Sequence, residues 1–140
     1  WQIHSHPDKP IAIVESEKTA VLMSYYHPGF IWLATGSANM LQVYKIHAIK
    51  DRSIVLYPDV GMFEYWHEKM RQIEAKYPRI QIVMSRECEI WHNDNFLKDG
   101  DDIADYYTSA YKWNHAKQEI QRQEIKPNMI LHYNSGKIKF

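Results

Sequence analysis

The sequence predicts an α/β fold of about four mainly parallel strands flanked by helices, with a helix and hairpin added at the C-terminus. Two observations lead there. Short runs of strand character recur at 11–14, 30–34, 54–57 and 80–84, and the first, Ile11-Ala12-Ile13-Val14, is apolar and β-branched, the pattern of a strand buried on both faces. Longer stretches of helical character separate them, and strands alternating with helices make a parallel sheet covered by those helices.

Taken in order, residues 1–10 are polar and Pro-punctuated and read as a lead-in segment. The strand at 11–14 is followed by Ser16, an N-cap type, and by a helix over 17–26 with apolar spacing at Ala20, Val21, Ser24 and Tyr25. His27-Pro28-Gly29 stops that helix. The second strand, 30–34, runs into Thr35-Gly36-Ser37 and a helix over 38–47. The third, 54–57, ends in the turn Pro58-Asp59-Val60-Gly61. A helix over 62–77 then carries Phe63, Trp66, Met70, Ile73 and Tyr77 on one stripe, Pro78 closes it, and the fourth strand occupies 80–84. Residues 86–99 are mixed and polar and read as a loop or irregular strand. Gly100-Asp101-Asp102 introduces a short helix over 103–111. A solvated helix over 112–126 and a hairpin of 129–133 with 137–140 complete an extension, 112–140, expected to pack on the domain formed by 11–111.

Composition narrows the function classes. Lys plus Arg equals Asp plus Glu at 17 each, so no net positive charge is present to hold nucleic acid by bulk electrostatics. Contact with nucleic acid then has to come from local placement, a metal ion or further domains. A single cysteine, Cys88, rules out an internal disulfide and suits a reducing cytoplasm. No apolar run is long enough to span a membrane as a helix. The chain opens at Trp1 without a charged leader or an apolar signal core, and reads as part of a longer protein.

In an open parallel sheet, ligands bind beyond the carboxyl ends of the strands. Those ends carry Glu15, then Thr35-Gly36-Ser37, then Asp59. Two carboxylates on neighbouring strands suit Mg²⁺ or Mn²⁺, which take oxygen ligands and keep water or phosphate in the remaining positions. The Gly-containing turn opens a helix, where free N–H groups favour an anion. The plainer alternative is that each acid caps the helix after it, where a negative charge is worth roughly 0.3–1 kcal/mol.

The local words carry a resemblance. Ile13-Val14-Glu15-Ser16-Glu17-Lys18-Thr19-Ala20 resembles the first motif of Toprim (topoisomerase–primase) domains, and Ile54-Val55-Leu56-Tyr57-Pro58-Asp59 resembles the strand that ends in their Asp-x-Asp motif. Ala34-Thr35-Gly36-Ser37-Ala38-Asn39 falls where such domains place a Gly-bearing turn. Gly100-Asp101-Asp102-Ile103-Ala104-Asp105-Tyr106-Tyr107 is similar to the acidic motif of primase-like members from phages and mobile elements. The resemblance covers residues 10–110 and implies a compact Rossmann-like domain of a DNA-processing protein, acting in replication or mobilisation. It implies Mg²⁺-dependent nucleotidyl transfer or other phosphodiester chemistry on nucleic acid, DNA before RNA, beside other domains such as a zinc-binding or helicase module. Carried over by position, Glu15 becomes a general acid or base and metal ligand, Asp59 a metal ligand, and Asp102 and Asp105 an acidic rim around the ion. Lys18 is placed to meet a phosphate near that metal, against the plainer reading of a solvent-exposed helix residue.

One departure matters: the second Asp of Asp-x-Asp is Gly61, which has no side chain to ligate with. Glu64, on the following helix, is a substitute ligand to consider. A module that kept the fold and lost the chemistry is therefore the competing expectation, with a small-molecule phosphate enzyme as a third. Weaker features are His4-x-His6 and the pair Cys88 and His92, neither with enough ligands for zinc, and the cations Lys45, Lys50 and Arg52, which suit a phosphate backbone or a charged loop.

Overall fold

The computed structural model describes residues 2–109. The expected terminal helix and hairpin of 112–140, and the last residues of the helix expected over 103–111, lie outside them. Four strands, β1 (Ile11–Val14), β2 (Ile31–Ala34), β3 (Ser53–Leu56) and β4 (Gln81–Met84), form one sheet in the order β2-β1-β3-β4. Every pair is parallel, with Ile11 opposite Ile31 on one side of β1 and opposite Ile54 on the other. The four runs at 11–14, 30–34, 54–57 and 80–84 are thus strands to within one residue at their ends.

Strand alternation sends neighbouring residues to opposite faces. Ala12, Val14, Val55 and Tyr57 join Met23, Tyr26, Trp32, Cys88 and Ile103 in one core. Ile11, Ile13, Ile54 and Leu56 join Ile46, Ile49, Trp66, Ile73 and Met84 in the other. Helix α2 (Glu17–Tyr26) lies on the first face with α5 (Glu87–Asn93) and α6 (Ile103–Thr108), while α3 (Val43–Ile46) and α4 (Phe63–Lys76) cover the second. In α4 the expected stripe holds, with Trp66 and Ile73 fully buried and Phe63, Met70 and Tyr77 packed beside them.

Four local expectations are corrected. First, α2 starts at the Ser16 cap, whose Oγ accepts from Thr19 N–H, but it buries Thr19, Met23 and Tyr26. Val21 and Tyr25 are 69% and 77% exposed, and Ser24 also faces solvent. Apolar residues occur on every side of this helix, so spacing alone does not select a face. Second, 38–47 is no continuous helix: a 3₁₀ turn at Ala38–Met40, extended Leu41 and Gln42, α3, and a second 3₁₀ turn at His47–Ile49 follow one another. Ser37 makes no side-chain cap, and the broken path buries Leu41, Ile46 and Ile49 against the sheet. Tertiary burial overrides propensity there.

Third, the stretch expected to be a loop contains α5, which buries Cys88 and is followed by Asn95 in the left-handed region at φ 59°. Asn tolerates that conformation better than most residues. Fourth, the lead-in segment contains a short helix, α1 (Gln2–Ser5). The Arg52 guanidinium holds this segment by donating to the carbonyls of Ile3 (3.0 Å), His6 (2.8 Å) and Lys9.

Candidate functional site: the acidic edge of the sheet

The chain leaves β1 to form β2 on one side, then crosses back to form β3 on the other. The order therefore reverses between β1 and β3, and the crevice beyond their carboxyl ends is the default ligand position of such sheets. Ile13 pairs with Leu56 and Tyr57 N–H still donates to the Ile13 carbonyl at 2.8 Å, so Glu15 comes next after β1 while Asp59 follows β3 after Tyr57 and Pro58. Both acids arrive at the crevice because the strands stop together.

The later acids reach the same place by backbone stitching. Val60 N–H donates to the Asp101 carbonyl at 2.9 Å and Gly100 N–H to the Val60 carbonyl at 3.3 Å, which ties the turn after β3 to the loop before α6. Asp102 is the N-cap of α6 in a reciprocal capping box. Its Oδ1 accepts from Ala104 and Asp105 N–H at 2.8 and 3.1 Å, while Asp105 Oδ2 accepts from Asp102 N–H at 2.9 Å. The other oxygen of Asp102 accepts from the buried Thr19 hydroxyl. Lys18 Nζ stands 3.5 Å from Asp105 Oδ1 across exposed surface.

The consequence is concentrated negative charge. Asp59 is half-buried, and its carboxyl is pushed up to about 7. Burial is the main cause, followed by the charge of Glu15, that of Asp102, a carboxyl hydrogen bond with Glu15 and the charge of Asp105. The other three acids singled out from the sequence, Glu15, Asp102 and Asp105, thus all act on Asp59. Beneath them Cys88 is buried and its thiol pushed up, by burial first and then by Glu87, Asp59, Asp102 and Glu89.

The four acids are not equivalent as ligands. Asp102 is only 7% exposed and both its oxygens are engaged, so it acts as a cap and a core partner for Thr19 rather than as part of an accessible rim. Among the described residues no group of three or more His, Cys, Asp or Glu side chains is arranged to hold a metal ion. Glu15 and Asp59, close enough to share a carboxyl hydrogen bond, make a pair of carboxylates, the number Mg²⁺ accepts when water and phosphate fill its other positions.

The Thr35-Gly36-Ser37 turn is also recast. Thr35 N–H donates to the Val14 carbonyl at 3.0 Å and Gly36 N–H to the Glu15 carbonyl at 2.9 Å, so these two donors extend the β1–β2 ladder instead of facing an anion. The Thr35 hydroxyl donates to the Ser37 carbonyl at 2.8 Å. Gly36 has φ +88°, and a Cβ there would stand 3.4 Å from the Glu17 carboxylate. What the turn does is hold the backbone of Glu15.

Two acids escaped the sequence reading. Glu87 and Glu89 follow β4 on α5, and the strand-end rule applied to the fourth strand would have found them. Glu87 has its carboxyl raised by burial, partly offset by the Ser85 hydroxyl bonded to it. Glu89 Oε1 accepts from Gly61 N–H at 3.3 Å, which brings a carboxylate from another helix to the position where Gly61 lacks one. Gly61 itself sits at φ +85°.

The remaining candidates lie elsewhere. Arg52 is spent on backbone carbonyls and Lys50 is paired with Asp51 at 2.8 Å, so neither offers a ready phosphate contact. His92 Nε2 meets Asp99 at 3.1 Å, and His4 and His6 are exposed in the lead-in segment.

Residues 1–60 match a protein family described as a domain of unknown function (DUF6371). The matched stretch holds β1, α2, β2, α3 and β3 and reaches Asp59, so both acids of the crevice fall inside it. Neither the curated proteins nor the solved structures include a match to this chain.

Proposed function

We propose that this chain is a Toprim-like domain of a larger, cytoplasmic, primase-like or mobilisation protein, binding Mg²⁺ or Mn²⁺ at Glu15 and Asp59 for phosphodiester chemistry on nucleic acid. The observation that carries the reading is the convergence of Glu15 and Asp59 at the reversal point of a β2-β1-β3-β4 parallel sheet, where each acid follows one of a pair of aligned strands. A hard divalent cation suits two carboxylates crowded into a half-buried crevice, because it neutralises charge that otherwise draws a proton onto Asp59. When bound, Mg²⁺ supplies Lewis acidity toward phosphoryl oxygens. The protein's own share is positioning: the Gly36 N–H fixes the Glu15 backbone, and Lys18 at the rim offers a cation to an approaching phosphate. No helix among the described residues is long and apolar enough to cross a membrane.

The test is a calorimetric Mg²⁺ and Mn²⁺ titration of the wild type, Glu15→Ala and Asp59→Ala at pH 8. Binding by the wild type and loss of it in both variants is expected. Equal binding by all three proteins refutes the assignment.

A second reading, an interaction module without metal chemistry, is favoured by two specific facts. Gly61 has no side chain at the second Asp position, and Asp102 turns both oxygens inward. Nucleic-acid or protein binding by a wild type that takes up neither Mg²⁺ nor Mn²⁺ in the calorimetric titration supports it.

A further inference from the structure

The neutral total charge hides a separation. Acids gather at the carboxyl end of the sheet, whereas cations line the amino end and the adjoining half of α4. A groove of about 450 Å³ between α3 and α4 is walled by Tyr44, Lys69, Gln72, Lys76 and Tyr77 over a floor that includes Leu41. It adjoins a recess of about 590 Å³ before β3 and β4, and the two share Lys76 and Tyr77. The linings together contain the cations Lys50, Arg52, Lys69, Lys76 and Arg79 against one acid, Asp51.

Lys50 is paired with Asp51 and Arg52 is anchored on neutral carbonyls, so Lys69, Lys76 and Arg79 are the cations placed to reach a ligand, with one carboxylate, Glu68, bonded to the groove-wall Gln72 at 3.3 Å. Lys76 and Arg79 are exposed, and Lys69 lies 5.4 Å from the centre of the Tyr65 ring. Tyr44 is 66% exposed at the groove wall, an aromatic face that the described residues leave in solvent.

We propose that this groove binds single-stranded nucleic acid without a metal ion. Cations track a phosphate backbone and an exposed ring stacks a base, the combination single strands use. Lys69 and Lys76 are two helical turns apart, roughly 10 Å along α4, which spans more than one nucleotide. A purely acidic peptide would match the charge and leave Tyr44 unused. The groove runs along α3 and α4 into the recess before β3 and β4 and shares no lining residue with the Glu15 and Asp59 crevice, so it does not rest on the metal reading and either can fail alone.

The test is fluorescence anisotropy with labelled oligo-dT and oligo-U of about 20 nucleotides in EDTA, where the metal site takes no part. Lys69→Ala/Lys76→Ala is expected to weaken binding about tenfold or more and to reduce the salt slope by about 1.4, two phosphates at ~0.7 each. Tyr44→Ala is expected to weaken it about fivefold or more, the lower end of one lost stack. Lys76→Glu/Arg79→Glu, at exposed positions, repeats the charge test without touching half-buried Lys69, and Val21→Ala on the other sheet face is expected to bind as the wild type does. Preference for oligo-dT or oligo-U separates DNA from RNA. Unchanged affinity in both charge variants overturns the proposal, as does displacement by poly-glutamate at equal charge concentration.

Discussion

Asp59 offers the sharpest test of how the crevice works. Its carboxyl ionises near 3.8 in an unfolded chain and near 7 in the fold, so between those values the folded protein holds a proton that the unfolded chain has lost. With more protons bound in the folded state, the linkage slope is negative: this contribution is complete below about pH 4 and is lost as pH rises through about 7. At 1.36 kcal/mol per pH step the bound is about 4 kcal/mol, and the side chain's partial exposure and water's screening bring it to about 2 kcal/mol. Asp59→Asn removes the titration while keeping the shape. Urea unfolding in EDTA should therefore find the variant more stable than the wild type by ~2 kcal/mol at pH 8, with the gap nearly closed at pH 4. A wild-type stability that does not fall between pH 4 and 7 relative to the variant refutes the crowded-carboxyl account. Saturating Mg²⁺ at pH 8 should raise the wild-type midpoint and leave that of the variant nearly unchanged.

Three further outcomes follow from the same geometry. Asp102→Ala should cost about 2–3 kcal/mol in urea unfolding, from the lost helix cap and the lost buried bond to the Thr19 hydroxyl, with Mg²⁺ affinity little changed because both oxygens of Asp102 are engaged inside the fold. Gly61→Asp should lower stability by about 1 kcal/mol, since φ +85° is strained for a side chain though open space surrounds it, and should tighten Mg²⁺ binding several-fold in calorimetry. Met23→Ala should cost about 2–5 kcal/mol by thermal or urea unfolding while Val21→Ala stays within about 0.5, because α2 buries the first residue and exposes the second.

The sequence by itself determined the sheet. Four short apolar runs, bounded by turn residues and alternating with longer helical stretches, read as strands of a covered sheet, and the Ser16 cap and the Trp66 stripe are local features visible without neighbours. It also located Glu15 and Asp59, because a strand-end position follows from where an apolar run stops. Tertiary structure alone decided three things. It chose the face of α2, whose apolar residues point every way until Thr19 meets Asp102. It broke the expected helix of 38–47 to bury Leu41, Ile46 and Ile49, and it brought to Gly61 the carboxylate of Glu89, from the stretch of 86–99 that showed no clear helix pattern. In the same way it turned Asp102 from an expected ligand into a cap. These outcomes depend on partners distant in the chain, and the energies that select them are burial and hydrogen-bond satisfaction, which exist only once the sheet has assembled its two cores.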